Sequence, residues 1–243
     1  RMDGVVSVSR GMMEVLRRRY AFDVPLVWIP YVVDPARLGP VRERLEAREA
    51  LGVEPSAPVV LFVGALSEQK RPDRFVRVIE RVRAAIPGVR AWMLGDGELA
   101  GRVRAEITEL GLDDRVELLG YRSRVADYMA AADLMLITSD SDGIPTVVQE
   151  AGYLGTPVVA TRVGGMDECV LEGETGFLAE PSDEAGLADA TTRILRDSEL
   201  RDALGARARR LVRSEFTIEV AAERHLDFFA ALLEGSGDRQ AEA

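Results

Sequence analysis

The sequence predicts an α/β fold in which a parallel, Rossmann-like sheet is flanked by helices. Residues 58–63 form a continuous apolar run rich in β-branched side chains, which is typical of a strand buried on both faces. Similar runs then alternate with segments of helical spacing, and most of these runs are followed by a turn that contains glycine. Strands that alternate with helices are joined by right-handed crossovers, so the strands are expected to be parallel.

The elements of this sheet can be placed from the spacing of their apolar residues. After the first strand, further strands are predicted at 89–94, 115–119, 134–138 and 157–160. Helices are predicted at 73–86, 98–110 and 123–131, in a short segment that begins at Asp142, and at 183–195, 198–213 and 218–233.

The first fifty residues are predicted to hold further elements. Residues 3–9 are predicted to be a strand, and Ser9 can cap a helix that runs to about residue 20. Residues 26–29 form a second short apolar run, and a charged helix is predicted at 41–51. At the other end of the chain, residues 235–243 are expected to be frayed.

Composition and charge argue against several classes of function. The chain has 243 residues and a net charge of −10, whereas a nucleic-acid-binding protein normally presents a basic face. Cys169 is the only cysteine, so an internal disulfide is excluded, and a reducing, cytoplasmic location is predicted. One histidine and one cysteine cannot build a zinc site, and no metal cofactor is expected.

Glycines follow most of the predicted strands. The turns after the first three hold Gly64-Ala65, Gly95 and Gly120-Tyr121. Glycine lets the backbone approach a ligand closely or take a positive φ. Any one of them can be an ordinary turn residue. Their repetition favours a ligand-facing edge, because ligands of open α/β sheets lie outside the carboxyl ends of the strands.

The stretch from residue 139 to residue 165 holds a pair of carboxylates. Asp142 is predicted at the mouth of a short helix, with Gly143 and Pro145 in its first turn, where it can cap free N–H groups. Glu150 lies eight positions further on, about 12 Å along a helix that rises about 1.5 Å per residue. Such a pair suits a ligand with an anionic group and several hydroxyls. The alternative is a capping aspartate plus a solvated glutamate.

The same stretch resembles the donor-site signature of a known family. The matching residues are Asp142-Gly143-Ile144-Pro145, Glu150, Gly155-Thr156-Pro157-Val158-Val159-Ala160, and Gly164-Gly165 followed by Glu168. This pattern is similar to that of the family-4 (group 1) retaining glycosyltransferases, which have the GT-B fold. The segment from Gly64 to Lys70 resembles the loop in which the family's lysine holds the donor diphosphate.

The resemblance implies a role for each matching residue. Lys70 would hold the diphosphate, and Glu150 would hold the ribose hydroxyls. Asp142, together with the amides of Gly143, Ile144 and Thr146, would hold the sugar and phosphate. Lys70, Asp142 and Glu150 are therefore the predicted catalytic residues. The predicted donor-binding residues are Gly64, Ala65, Gly95, Gly120, Tyr121, Gly143, Ile144, Pro145 and Thr146. The donor would be a nucleotide sugar such as a UDP- or GDP-sugar. A hexose would be transferred to an unknown acceptor with retention of configuration.

The resemblance also implies a domain organisation. Residues 1–40 would be the end of a missing N-terminal acceptor domain plus the interdomain linker, 41–229 the nucleotide-sugar-binding domain, and 230–243 a flexible tail. The family's histidine near the reacting sugar belongs to the N-terminal domain. We therefore expect this chain to bind the donor and to be inactive in transfer by itself, and membrane association of the full-length enzyme stays open.

Three residues depart from the family pattern. Ala65 stands where many members have arginine, Arg71 where many have glycine, and Asp142 where the family usually has glutamate. Three alternatives stay open. One is a nucleotide-sugar epimerase of the same GT-B fold, which would share the sheet and some of the carboxylates. The second is a nucleotide-binding module without catalysis, which Ala65 would allow, and the third is a dehydrogenase.

Overall fold

The computed structural model describes residues 3–20 and 24–240, with residues 235–240 as backbone only. Near the N-terminus, strands β1 (Val5–Ser7) and β2 (Leu26–Trp28) pair in parallel, and helix α1 (Arg10–Arg19) lies between them in the chain. The hydroxyl of Ser9 accepts a hydrogen bond from the N–H of Met12 at 3.0 Å. The predicted cap of this helix is therefore confirmed.

The centre of the molecule is a parallel sheet of six strands, as the sequence predicts. The strands are β3 (Val59–Val63), β4 (Arg90–Leu94), β5 (Val116–Gly120), β6 (Leu134–Ile137), β7 (Val158–Thr161) and β8 (Gly176–Ala179). Their spatial order is β5-β4-β3-β6-β7-β8, and every neighbouring pair is parallel. The edge strand β8 was not predicted.

Helices cover both faces of this sheet. They are α2 (Pro35–Leu38), α3 (Arg44–Ala50), α4 (Pro72–Ala85), α5 (Ala100–Glu109), α6 (Val125–Ala131), α7 (Thr146–Leu154), α8 (Met166–Cys169), α9 (Glu184–Arg196) and α10 (Ser198–Glu215), and the last helix, α11 (Ile218–Gln240), follows them in the chain. Two of them, α2 and α8, were not predicted, because four residues are too short to show a helical period. The last helix extends beyond the predicted end at residue 233, and residues 241–243 lie outside the described part of the chain.

The alternation of side chains along the strands divides the core into two layers. In β3, Val59 and Leu61 pack on one face with α3, α6 and α7, whereas Val60 and Phe62 pack on the other face with α4, α5 and α9. Side chains of a strand alternate between faces, so a strand covered on both faces must be apolar throughout. This burial explains the continuous apolar run from which the fold was predicted.

Candidate functional site

The candidate site lies where the strand order reverses. From β3 the chain proceeds outward through β4 and β5, and it then returns to place β6 on the other side of β3. In open α/β sheets, the loops on the two sides of such a switch point leave a crevice outside the carboxyl ends of the strands. Lys70 belongs to the loop after β3, and Asp142 belongs to the loop after β6. The strand order therefore places these two residues on opposite sides of the crevice.

Lys70 and Asp142 form an ion pair across this crevice. The ammonium Nζ of Lys70 donates to Oδ1 of Asp142 at 2.7 Å and to Oδ2 at 2.8 Å. The side chains are 25% and 8% exposed. Charge-assisted hydrogen bonds of this length are about twice as strong as neutral ones. The ammonium is thus held in a fixed position while part of it faces solvent.

The structure corrects the predicted position of Asp142 relative to the helix. Helix α7 begins at Thr146, its N-cap residue is Pro145, and no side chain caps it. Asp142, Gly143 and Pro145 therefore precede the helix, and Asp142 does not cap it. The physical reason is the proline, since its ring disfavours the helical conformation at the preceding Ile144.

The start of α7 keeps unused hydrogen-bond donors. Within residues 3–20 and 24–240, the backbone N–H groups of Gly143, Ile144 and Thr146 donate to no acceptor. Ile144 is buried, while Gly143 and Thr146 are exposed. N–H groups at a helix start, together with the positive end of the helix dipole, favour an anion at that position. Their location next to Lys70 and Asp142 is compatible with the predicted phosphate contacts.

Hydrogen bonds of the backbone and of neutral side chains also tie the loop after β3 to the loop after β6. The N–H of Asp140 donates to the carbonyl of Gln69 at 2.9 Å. In return, Nε2 of Gln69 donates to the carbonyl of Ser141 at 2.8 Å. The hydroxyl of Thr138 donates to the carbonyl of Arg71 at 2.9 Å. These hydrogen bonds hold the loop that carries Lys70 against the loop after β6.

Arg71 occupies a backbone conformation that glycine adopts without strain. Its φ is +49°, and it is the only residue other than glycine with a positive φ in the described part of the chain. Its guanidinium is bound by Asp73 at 2.8 Å and by Asp140 at 2.7 Å. Hydrogen bonds to Asp73 and Asp140 raise the pKa of Arg71. The departure from the family's glycine therefore adds a guanidinium that is already neutralised by two carboxylates.

Glycines allow the loops of this edge to lie in backbone contact. A Cβ on Gly95, whose φ is +132°, would lie 1.9 Å from the carbonyl oxygen of Gly64. A Cβ on Gly164, whose φ is +57°, would lie 1.6 Å from the carbonyl oxygen of Asp142. The N–H of Gly95 also donates to the carbonyl of Gly120 at 2.9 Å. Gly95 and Gly164 are thus needed for close loop packing, whether or not a ligand is bound.

Glu150 is half-buried on α7 and has no polar partner among the described residues. Its side chain forms no hydrogen bond or ion pair with residues 3–20 or 24–240, and burial raises its pKa. The neighbouring Gln149 is fully buried, and its Nε2 donates to the carbonyl of Tyr31 at 2.8 Å. Oε1 of Gln149 lacks a partner in the same part of the chain. Sequence reasoning missed Gln149, since its polar side chain interrupts an apolar helix face without any motif.

The remaining predicted residues lie along the same edge with different exposure. Ala65 is exposed, and Tyr121 is 81% exposed, so its ring stands in solvent. Gly120 has a φ of +65°, and Pro145 is buried. The structure brings Lys70 and Asp142 into direct contact. No hydrogen bond or ion pair among the described residues joins Glu150 to either of them.

The third carboxylate of the signature contacts the N-terminal elements. Oε1 of Glu168 accepts hydrogen bonds from the N–H groups of Arg10 at 2.7 Å and Gly11 at 3.3 Å, in the first turn of α1. A cavity of about 620 Å³ lies beside this contact, with Trp28 and Gly164 in its lining. Glu168 belongs to the donor-site motif, but its contact with α1 was not predicted. The contact connects residues more than 150 positions apart.

Within the described ranges, no group of three or more His, Cys, Asp or Glu side chains is placed to hold a metal ion. Burial raises the pKa of the Cys169 thiol to about 12, so this thiol stays protonated at neutral pH. Among the described helices, none combines the length and the apolar character that a bilayer crossing requires.

The six-stranded parallel sheet, with its reversal of strand order between β3 and β6, defines a Rossmann-like domain. The sequence model of the family described as glycosyl transferases group 1 matches residues 43–211. The chain belongs to this family.

Comparisons with individual proteins agree with this assignment. The chain is 30% identical over 178 residues to N-acetyl-alpha-D-glucosaminyl L-malate synthase of Bacillus anthracis. The aligned segment covers 73% of this chain and 46% of that protein. It thus spans about half the length of this relative. Sucrose-phosphate synthase from Thermosynechococcus elongatus superimposes with a TM-score of 0.85 at 27% identity, over 97% of this chain and 59% of that one.

A third comparison concerns the fold. HepE from Anabaena, solved in complex with UDP, superimposes with a TM-score of 0.86 at 24% identity. The match covers 94% of this chain and 64% of HepE.

Proposed function

We propose that this chain is the donor-binding half of a retaining hexosyltransferase and that it binds a nucleoside diphosphate sugar at the switch-point crevice. The observation that carries the proposal is the ion pair in which Asp142 holds the Lys70 ammonium in place, between two loops that hydrogen bonds join. Unused N–H donors at the start of α7 lie on the same side of the sheet. A cation next to a helix start suits a diphosphate, because both supply positive potential.

The family assignment supports the chemical class of the ligand. HepE, whose fold is shared, was solved with UDP. The relative from Bacillus anthracis is named as an N-acetylglucosaminyl malate synthase, and its name describes the joining of a sugar to an acceptor. We infer that the present chain takes a UDP- or GDP-sugar as donor and that another part of the full-length protein binds the acceptor.

The residues of the crevice suit the charge changes of glycosyl transfer. Cleavage of the sugar–phosphate bond places negative charge on the departing diphosphate and positive character on the sugar carbon. Lys70 and the N–H groups of α7 would stabilise the departing diphosphate, because they are oriented before the reaction. Glu150 would accept hydrogen bonds from the ribose hydroxyls. Because Lys70 supplies the positive charge, the proposal includes no metal ion.

The domain organisation belongs to the same proposal. Residues 1–40 would carry the end of the acceptor domain and the linker, since β1, α1 and β2 stand outside the six-stranded sheet. Residues 41–229 would form the donor domain, with a tail at 230–243. The full-length enzyme would work in the cytoplasm. This chain alone would bind the donor and transfer no sugar.

Calorimetric titration with UDP and with GDP tests the donor site directly. We expect either UDP or GDP to bind with a 1:1 stoichiometry. Lys70 and the N–H donors of α7 would recognise the diphosphate that both nucleotides share, and contacts to the base would favour one nucleotide over the other. Uridine and guanosine, which lack the phosphates, should bind at least about tenfold more weakly, since charge-assisted hydrogen bonds contribute about 1.5–3 kcal/mol. A folded chain that binds neither nucleotide would contradict the proposal.

Replacing Glu150 by glutamine is expected to raise stability and lower UDP or GDP affinity. Burial raises the pKa of Glu150, so the folded state disfavours the ionised carboxyl. This loss of stability sets in as the pH rises through the unfolded-state pKa and is fully present above the folded-state pKa. The variant should therefore unfold at a higher temperature than the wild type at pH 7 and at a similar temperature near pH 4.

Affinity of the same variant should fall by about tenfold, because a neutral amide accepts weaker hydrogen bonds from ribose than a carboxylate does. Thermal melts at both pH values and calorimetry at pH 7 measure the two effects. Glu223→Gln, on the exposed side of α11, is the matched control and should change neither. A Glu150→Gln variant with unchanged affinity would show that Glu150 does not contact the nucleotide.

A further inference from the structure

A small cavity lined by arginines lies at the amino edge of the sheet, opposite the donor crevice. Its volume is about 220 Å³. Arg42 and Arg44 line it at the start of α3, and Arg201 and Arg209 line it from α10. The turn before β7 forms another wall.

The arginines outnumber the acids around Asp133, which directly precedes β6. Oδ1 of Asp133 accepts from Arg44 and Arg201, and Oδ2 accepts from Arg48 and from the N–H of Val59. One carboxylate thus faces three guanidiniums. Burial, together with the nearby charges of Arg48 and Arg201, lowers the pKa of Arg44. An excess of positive charge at this point stands out in a chain with a net charge of −10.

The other acids near the cavity are already engaged. Asp202 pairs with Arg201 at 2.9 Å, but its side chain is 70% exposed, so solvent screens it. Asp127 accepts from Arg42 at 2.7 Å. Glu43 takes part in the capping box of α3. After these pairings, the lining still holds more guanidinium than carboxylate groups.

Arg209 supplies a donor that lacks an acceptor. Its Nη2 donates to the carbonyl of Leu154, whereas its Nε is buried and has no partner among the described residues. The guanidinium lies against Gly155, where a Cβ would be 2.9 Å from Nη2. A buried donor without an acceptor costs about 1–3 kcal/mol. Arg209 also lines the cavity, so its guanidinium adds to the positive charge of the other three arginines there.

We propose that this cavity binds a small dianion, either free phosphate or the phosphate group of a small phosphomonoester. Arginine suits this ligand because its planar donors match the oxygens of phosphate. A cavity of about 220 Å³ admits a phosphate group with a small organic part. The ligand would connect α3 to α10 and stabilise the folded chain.

The test follows the thermal unfolding of the 243-residue chain as phosphate replaces chloride at constant ionic strength. We expect a saturable rise in the unfolding temperature, since a ligand that binds only the folded state stabilises it. Arg209→Gln should weaken the apparent phosphate affinity by at least about tenfold, because it removes one charge-assisted hydrogen bond to the ligand. Lys70→Ala should leave this affinity within about twofold, because Lys70 lies at the opposite edge of the sheet.

Two outcomes would overturn the proposal. One is the absence of a saturable shift in the wild-type chain. The other is a shift that Lys70→Ala abolishes and Arg209→Gln preserves, because phosphate would then bind in the donor crevice. If Arg209→Gln fails to fold, Arg42→Gln replaces it, since the Arg42 side chain is 38% exposed. A parallel titration with glycerol 3-phosphate separates the two ligands, since tighter binding than that of phosphate would assign the site to a phosphomonoester and weaker binding would assign it to free phosphate.

Discussion

Replacing Asp133 by alanine is expected to destabilise the folded chain by about 3–5 kcal/mol, the usual cost of leaving a buried charge without its partner. The Asp133 side chain is 6% exposed, and Arg48, which it binds at 2.9 Å, is 1% exposed. Without the carboxylate, Arg48 would stay buried beside Arg44 and Arg201 with no opposing charge. Mutual repulsion of these guanidiniums adds to the cost.

The same substitution removes a hydrogen bond at the start of the central strand. The N–H of Val59 donates to Oδ2 of Asp133 at 2.7 Å, and Val59 is fully buried. Alanine would leave this N–H without an acceptor, which costs about 1–3 kcal/mol. Asparagine at position 133 keeps an oxygen for Val59 but loses the charge, so we expect it to be intermediate.

Urea denaturation of the wild type, Asp133→Ala and Asp133→Asn measures the differences in the free energy of unfolding. Asp202→Ala is the matched control, since Asp202 binds the same Arg201 but its side chain is 70% exposed. A solvent-exposed pair is worth about 0–1 kcal/mol. Equal losses for Asp133→Ala and Asp202→Ala would mean that the buried network contributes no more than a surface pair.

The strands of the sheet were predictable because their apolar runs are local signals. The five predicted strands are confirmed within two residues at each end. The edge strand β8 consists of four residues, Gly176–Ala179, and its last two are only partly buried, so it lacks a continuous apolar run. The start of α7 was predicted three residues too early, with the cap at Asp142 instead of Pro145, since the effect of Pro145 on Ile144 was not weighed against the capping potential of Asp142.

The candidate site was predictable in its residues but not in its contacts. Lys70 and Asp142 were both found from motifs, whereas their ion pair depends on β3 and β6 being neighbours. This adjacency joins segments 72 residues apart, and no local pattern encodes it. The cluster around Asp133 has the same origin, because its arginines come from α3 and α10. The assigned roles of Lys70, Asp142 and Glu150 stay predictions.

Replacing Lys70 by alanine is expected to weaken UDP or GDP binding by about 100-fold, which corresponds to about 2.7 kcal/mol. Part of the loss is the direct contact, since a charge-assisted hydrogen bond contributes about 1.5–3 kcal/mol. The rest comes from Asp142. Without Lys70, its carboxylate stays nearly buried at the crevice and repels the diphosphate.

Separate titrations with the nucleoside diphosphate and the nucleoside distinguish this role from a general disturbance of the crevice. Lys70→Ala should change nucleoside affinity by less than about threefold, because the lysine is assigned to the diphosphate alone and a threefold change is about 0.6 kcal/mol. Lys70→Arg keeps the positive charge and should lose less than Lys70→Ala. Equal losses of nucleoside and nucleoside diphosphate affinity would refute the assignment.

A double-mutant cycle tests whether Asp142 and Lys70 act as a pair on the ligand. If the freed carboxylate contributes to the loss, Lys70→Ala combined with Asp142→Ala should bind the nucleoside diphosphate more tightly than Lys70→Ala alone, by about tenfold. A coupling free energy of at least about 1 kcal/mol is expected, since residues in direct contact couple by about 0.5–3 kcal/mol. If the losses of nucleoside diphosphate affinity in the two single variants simply add in the double variant, Lys70 and Asp142 act on the ligand independently. The ion pair at 2.7 Å would then position the loops only.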